Sequence, residues 1–286
     1  MSVEKATEIG FCFGVRRALR LLEEAAQTHG RVETLGSVVH NRQAVESLEQ
    51  LGVRRLESLE EATGNVIAVT SHGLSHDMIE QIKARGFEIV DTTCPNVRRA
   101  QKAAEELGKD GFWVVIYGDV DHPEVRGVLG WVGRIGTATL DSGVVRKLAG
   151  RHRRVGILSQ TTQNAEHFVS FATEVISALL PRVEELRIVN TICDATRKRQ
   201  EAALKVAKRV DLMIVVGGHE SANTRRLAEV CADTGVETHH IETAEEVQDS
   251  WLKPRRIGIT AGASTPDHVI DEVIRKLEEH GHSVAP

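Results

Sequence analysis

The chain has 286 residues, of which 41% are apolar and only 3% aromatic, and its formal net charge is −5. Such a chain can bury a core of Val, Ile, Leu and Ala, the composition of parallel sheets covered by helices. The charge gives no basis for nucleic acid or an anionic membrane as partner. No apolar run nears the ~20 residues that cross a bilayer and the start lacks a secretory segment, so a cytoplasmic protein is expected.

In chain order, residues 3–12 read as a strand leading to Cys12, and 15–27 as a helix with Val15, Leu19 and Leu22 at helical spacing. Strand 32–39, helix 42–51 stopped by Gly52, apolar strand 66–70 and helix 77–85 capped by Ser75 follow, then strand 88–90 leading to Cys94. The same order returns as helix 96–107, strand 113–117, a helix from Pro123, strands near 134–139 and 155–159, helix 165–180 and strand 185–189. A third round gives helix 195–209, strand 212–216, helix 221–234, strands 237–240 and 257–260, and helix 266–280. Strands alternating with helices of this length call for parallel βαβ units.

Three segments are near copies of one another: Gly10-Phe11-Cys12-Phe13-Gly14-Val15-Arg16-Arg17, Thr92-Thr93-Cys94-Pro95-Asn96-Val97-Arg98-Arg99 and Thr191-Ile192-Cys193-Asp194-Ala195-Thr196-Arg197-Lys198. In each, a cysteine is followed four and five residues later by two basic side chains. His40, His122 and His219 stand at matching places downstream, each where an apolar run gives way to a polar loop. Later apolar runs end in Ser71-His72, Gln160-Thr161-Thr162 and Ser264-Thr265. A repeat of this length suits a small α/β subdomain rather than a solenoid unit. The expected fold is therefore α/β, with three pseudo-threefold-related subdomains at 1–93, 94–192 and 193–286. Their parallel sheets would bring three cysteines and three sets of polar loops to one axis, beyond the carboxyl ends of the strands.

Four cysteines in such a chain do not suggest a disulfide frame. Cys231, with Leu227 four residues before it, reads as the buried face of a helix. The other three share one topological place. They match no zinc spacing, and three thiolates without histidine are unusual for catalytic zinc. Thiolates suit iron–sulfur clusters, and three on a four-iron cluster would leave one iron open to a substrate oxygen. Helix N-termini and the basic pairs would favour such an anionic group. Three buried structural cysteines are the plainer alternative.

Glu124, in His122-Pro123-Glu124, is the one acid signal. In a closed cavity its pKa would rise and it could donate a proton, although a glutamate at a helix start also favours the helix dipole. Thr161 and Thr162 could relay that proton. Ser221, Asn223 and Ser264 are either helix caps or neutral donors for a phosphate at helix starts.

On these motifs the chain resembles the 4-hydroxy-3-methylbut-2-enyl diphosphate reductase family. The resemblance runs from about Gly10 to Gly281 through Gly-Phe-Cys-Phe-Gly-Val at 10–15, Val-Val-His-Asn-Arg at 38–42 and Ser-His-Gly at 71–73. It continues with Thr-Cys-Pro at 93–95, His-Pro-Glu at 122–124, Gln-Thr-Thr at 160–162 and Thr-Ala-Gly-Ala-Ser at 260–264. It implies a trefoil of three α/β subdomains around a [4Fe-4S] cluster held by Cys12, Cys94 and Cys193. It also implies diphosphate binding by His40, His72, Ser221, Asn223 and Ser264, with His122, Thr161 and Glu124 facing the substrate's hydroxymethyl group. The implied reaction is reductive dehydroxylation to isopentenyl and dimethylallyl diphosphate, the last step of the methylerythritol phosphate route. A ferredoxin or flavodoxin is the expected electron donor. One departure is Ser221-Ala222-Asn223, where the family often has a second serine. Two other readings fit the triplicated cysteines: a quinolinate-synthase-like enzyme with a three-cysteine cluster, whose carboxylate substrates would favour Arg or Lys in the loops, and a cluster-bearing redox sensor without catalysis.

Overall fold

The computed structural model describes residues 2–133, 135–148, 150, 152–252, 256–280 and 283–284. Along the chain come β1 (Ser2–Lys5), α1 (Phe13–His29), β2 (Val32–Leu35), α2 (Arg42–Gln50), β3 (Val53–Leu56), β4 (Val66–Val69), α3 (His76–Ala84) and β5 (Glu88–Asp91). Next are α4 (Pro95–Lys109), β6 (Trp113–Tyr117), α5 (Pro123–Leu129), β7 (Gly136–Thr139), α6 (Ser142–Leu148), β8 (Arg154–Ser159), α7 (Ala165–Leu179) and β9 (Glu185–Val189). The last are α8 (Asp194–Ala207), β10 (Leu212–Val216), α9 (Ala222–Ala232), β11 (Glu237–Ile241), β12 (Arg256–Ala261), α10 (Asp267–Glu279) and β13 (Ser283–Val284). The strand expected near 134–139 is β7; Arg134 lies outside the described residues.

Two compact units result. One comprises Met1–Arg16, Val39–Gln50 and Asp194–Pro286, the other Arg17–Val38 and Leu51–Cys193. The second unit holds two four-stranded sheets, ordered β3-β2-β4-β5 and β7-β6-β8-β9. Every pairing in them is parallel, and the two orders are the same once each set is numbered from its own first strand. The first unit holds one parallel sheet, β11-β10-β12-β1-β13.

The first sheet corrects one expectation. β1 does not join the sheet of the residues that follow it. It lies beside β12, with Val3 opposite Ile257, and takes the place that β5 and β9 hold in the other sheets. It is also shorter than residues 3–12, ending at Lys5. Each cysteine therefore follows the fourth strand of a repeated sheet order: Cys12 after β1, Cys94 after β5 and Cys193 after β9.

The central strands are apolar throughout because helices cover both faces. β4 (Val-Ile-Ala-Val), β6 (Trp-Val-Val-Ile-Tyr) and β10 (Leu-Met-Ile-Val-Val) are buried at every position. In the first unit Val3, Leu212, Ile214, Ile257 and Ile259 pack under α10 through Val269, Ile270 and Val273. On the sheet's other face Met213 and Val215 meet Ala202, Ala203 and Val206 of α8 and Leu227 and Cys231 of α9. Each buried Val, Leu, Ile or Met side chain among these stabilises the fold by roughly 1.5–3 kcal/mol. Cys231 is a core residue, as its spacing suggested, and burial pushes its thiol up to about 12.

Candidate active site

All four cysteines are reduced, and Cys12, Cys94 and Cys193 are partly exposed. Each stands at the start of a helix, α1, α4 or α8. The same backbone bond seats each of them. Cys12 N–H donates to Ala263 O, Cys94 N–H to Ser71 O and Cys193 N–H to Thr161 O, each at 3.0 Å. The acceptors lie in the loops after β12, β4 and β8, the third strand of each repeated order, so each thiol is tied to a hydroxyl-bearing loop.

Local sequence shapes the turns in two ways. At Cys94 and Cys193, an Asx side chain three residues earlier accepts from the residue before the cysteine: Thr93 N–H to Asp91 at 3.0 Å and Ile192 N–H to Asn190 at 3.1 Å. Thr92 and Thr191 hydroxyls also donate to Val69 O and Ser159 O at the neighbouring strand ends. The Cys12 turn has neither device. Gly10 makes it instead, with φ +77°, a left-handed conformation in which a Cβ would also lie 2.6 Å from Asp267 Oδ1. Val15 N–H then points at Cys12 Sγ, 3.5 Å away.

In the second unit, Glu124 is 2% exposed at the start of α5. Its Oε1 accepts from Thr161 N–H at 2.6 Å and its Oε2 from the Thr161 hydroxyl at 2.8 Å. Burial raises its pKa from 4.5 to about 7, against the lowering effect of the two Thr161 bonds. A carboxyl in that range exchanges a proton near neutrality. The competing acids on the same loop are unsuited, because Asp121 is exposed and Asp119 caps its N–H at 3.0 Å. His122 caps α5: its Nδ1 accepts from Glu124 N–H at 3.1 Å, which assigns the proton to Nε2. The His72 ring stands edge-on to His122 with centroids 5.5 Å apart. Gly73, at φ +73°, turns the chain after His72, and a Cβ there would lie 2.4 Å from Gln101 Nε2.

In the first unit, the Ser264 hydroxyl donates to His40 O at 3.4 Å. Ser221 caps α9, accepting from Thr224 N–H at 3.3 Å. Two residues on, the Asn223 Oδ1 accepts from Thr196 at 3.5 Å, while its buried Nδ2 has no hydrogen-bond partner among the described residues. That N–H donor at a helix start suits an anion. Ala222 adds no donor. His219 does not repeat the histidine pattern. It is exposed, its N–H donating to Glu242 and its ring 3.3 Å from Glu246.

Hydrogen bonds seat each cysteine turn and Glu124 is buried within its own unit; sequence reading names these thiols, the histidines and the acid as candidates. It did not find Thr92, Thr191 and Gln160. The two threonines repeat just ahead of their cysteines, and that repetition was the available signal. Gln160 is 1% exposed and its Oε1 holds Asp119 N–H at 3.2 Å and Gln163 Nε2 at 2.9 Å, bracing the loop that carries Thr161.

A family model described as LytB protein matches residues 3–278. The chain belongs to the LytB protein family. Among LytB relatives, it is 50% identical over 279 residues to the 4-hydroxy-3-methylbut-2-enyl diphosphate reductase of Dehalococcoides mccartyi (strain CBDB1), covering 97% of this chain and 98% of that one. It is 42% identical over 281 residues to the reductase of the same name from Geobacter metallireducens, covering 98% of each. A solved structure of (E)-4-hydroxy-3-methyl-but-2-enyl diphosphate reductase, the terminal enzyme of the non-mevalonate pathway, matches with TM-score 0.71 and 40% identity over 98% of this chain and 100% of that one. The E-1-hydroxy-2-methyl-but-2-enyl-4-diphosphate reductase from Plasmodium falciparum, 23% identical, shares the fold with TM-score 0.93 over 99% of this chain and 91% of that one. These comparisons support neither the quinolinate-synthase reading nor the redox sensor.

The donor chemistry of this LytB chain fits an iron–sulfur group. Three reduced, partly exposed thiols sit in hydrogen-bonded turns at helix starts, and the fourth is sealed in the core. No described helix is long and apolar enough to cross a membrane.

Proposed function

We propose that this chain is an iron–sulfur reductase that removes the hydroxyl of 4-hydroxy-3-methylbut-2-enyl diphosphate, giving isopentenyl and dimethylallyl diphosphate. Family membership over residues 3–278 supports the reaction class. The observation that carries the chemistry is Glu124, a buried carboxyl with a pKa near 7, held by Thr161 on the loop that also seats Cys193.

Cys12, Cys94 and Cys193 would hold the group, which we read as [4Fe-4S]. When bound, it supplies electrons one at a time and a Lewis-acidic iron. Replacing the C–O bond by C–H consumes two electrons and two protons and releases water. A one-electron carrier of the ferredoxin or flavodoxin type provides the electrons.

The protein's own part is binding and proton delivery. His40, His72, Ser221, Asn223 and Ser264 hold the diphosphate with neutral or titratable donors, the Asn223 amide N–H being open for that task. Such donors satisfy phosphate oxygens without a cluster of lysines. His122, through Nε2–H, and Thr161 orient the hydroxymethyl group. Glu124 delivers a proton to the departing oxygen, and the Thr161 N–H and hydroxyl stabilise the carboxylate left behind.

The test is product analysis. Anaerobically reconstituted enzyme, given (E)-4-hydroxy-3-methylbut-2-enyl diphosphate and a chemical reductant, should yield both five-carbon diphosphates. Recovery of unreacted substrate from iron-loaded enzyme would sink the proposal.

A further inference from the structure

Three arginines make one repeated bond. Arg17 Nη1 lies 3.2 Å from Thr93 O, the carbonyl just ahead of Cys94. Arg99 Nη2 lies 3.3 Å from Ile192 O, just ahead of Cys193, and 3.5 Å from Thr191 O. Arg199 Nη2 lies 2.6 Å from Gly10 O, two residues ahead of Cys12. The arginines sit on α1, α4 and α8, the helices that begin at Cys12, Cys94 and Cys193. The order is therefore cyclic. The helix of the first cysteine grips the turn of the second, the second grips the third, and the third grips the first.

Backbone carbonyls in a turn can be satisfied by water, so a fold does not need guanidinium groups there. Arg199 is the extreme case. It is 4% exposed, its Nη1 donates to Ala195 O at 3.2 Å, and its Nε has no hydrogen-bond partner among the described residues. A buried guanidinium with an unmade N–H bond is a cost to stability. An anionic group bound at the turn it grips would offset that cost.

We propose that Arg17, Arg99 and Arg199 are positioning residues for the three cysteine ligands. Each fixes the carbonyl that sets the next thiol's turn and keeps a positive charge close to it. The proposal rests on the reading of Cys12, Cys94 and Cys193 as cluster ligands. Groups that hold a metal's ligands in place characteristically act on its affinity and potential when they are substituted.

The experiment follows iron release from the anaerobically reconstituted full-length chain to a chelator. Arg17→Met, Arg99→Met and Arg199→Met should each release iron about 10- to 100-fold faster than the parent. The Lys variants, which keep the charge and can reach a single carbonyl, should fall between. Arg20→Met, on α1 but paired with Glu24, should release at the parent rate. The cluster's reduction midpoint should shift downward in the Met variants and recover in the Lys variants, which loss of packing alone would not produce. If Arg199→Met fails to fold, the less buried Arg17 and Arg99 decide the matter. Parent-like release and midpoint in those variants would overturn the proposal, even with a lowered melting temperature. If the parent chain itself takes up no iron, or Cys12→Ser takes it up equally, the ligand reading has failed instead, and the two failures are told apart.

Discussion

Glu124 is the residue whose chemistry and environment are most tightly linked. Burial disfavours its charge while both oxygens accept from Thr161, which favours it, and the balance leaves its pKa near 7. Glu124→Gln keeps the shape and an acceptor oxygen but cannot give an acid proton. Substrate affinity should be retained while turnover falls by about 10²–10⁴-fold. Steady-state rates beside equilibrium binding check this, and near-parental turnover would remove Glu124 from the proton path.

The same residue makes a stability prediction. Its folded pKa of about 7 lies above the ordinary 4.5, so the folded chain binds this proton more tightly than the unfolded chain. That contribution is full below about 4.5 and is lost as pH rises through 7. A shift of this size corresponds to roughly 3 kcal/mol. Urea unfolding should show the parent losing up to about that much, relative to Glu124→Gln, between pH 5 and pH 8. A difference flat in pH would contradict the burial argument. Residue identity made Cys12, Cys94, Cys193 and Glu124 legible in the sequence, because each stands in a repeated or distinctive motif. Arg199 was not legible. It follows its cysteine by six residues where Arg17 and Arg99 follow by five, so Lys198 occupies the expected place.

At the scale of elements, the helix starts carry the anion chemistry. Ser221 spends its side-chain acceptor on capping α9, and Asn223 presents an unmade N–H. Asn223→Ala, His40→Ala and His72→Ala should weaken diphosphate binding while leaving iron content unchanged. Each lost hydrogen bond to a charged group should cost roughly 1.5–3 kcal/mol, about 10- to 150-fold in affinity. Titration with a non-reducible diphosphate analogue checks this, and unchanged affinity in all three would assign these residues another task. Long apolar strands and amphipathic helices were legible from periodicity, as β6, β9 and β10 show by matching their expected limits. β3 was not, since Val53-Arg54-Arg55-Leu56 puts two exposed arginines between its buried ends. The partner of β1 was hidden for a different reason. Strand pairing is a long-range choice, and nothing within Ser2–Lys5 says that β12 is its neighbour.

At the scale of the whole chain, one asymmetry sets three of the four cysteines apart from the fourth. Three lie in turns seated by the same N–H to carbonyl bond, while Cys231 lies among core aliphatics with its thiol pushed up to about 12. A thiol so resistant to ionisation is a poor metal ligand. The triplication that makes this visible was legible because the cysteine segments are alike in sequence. The closing of the third sheet by the first strand had to be seen in the pairings. The most direct measurement is iron and sulfide content per chain after anaerobic reconstitution of Cys12→Ser, Cys94→Ser, Cys193→Ser and Cys231→Ser. The parent and Cys231→Ser should hold about four irons each, and the other three should lose most of theirs. Equal loss in Cys231→Ser, or full retention in any one of the three, would contradict the assignment.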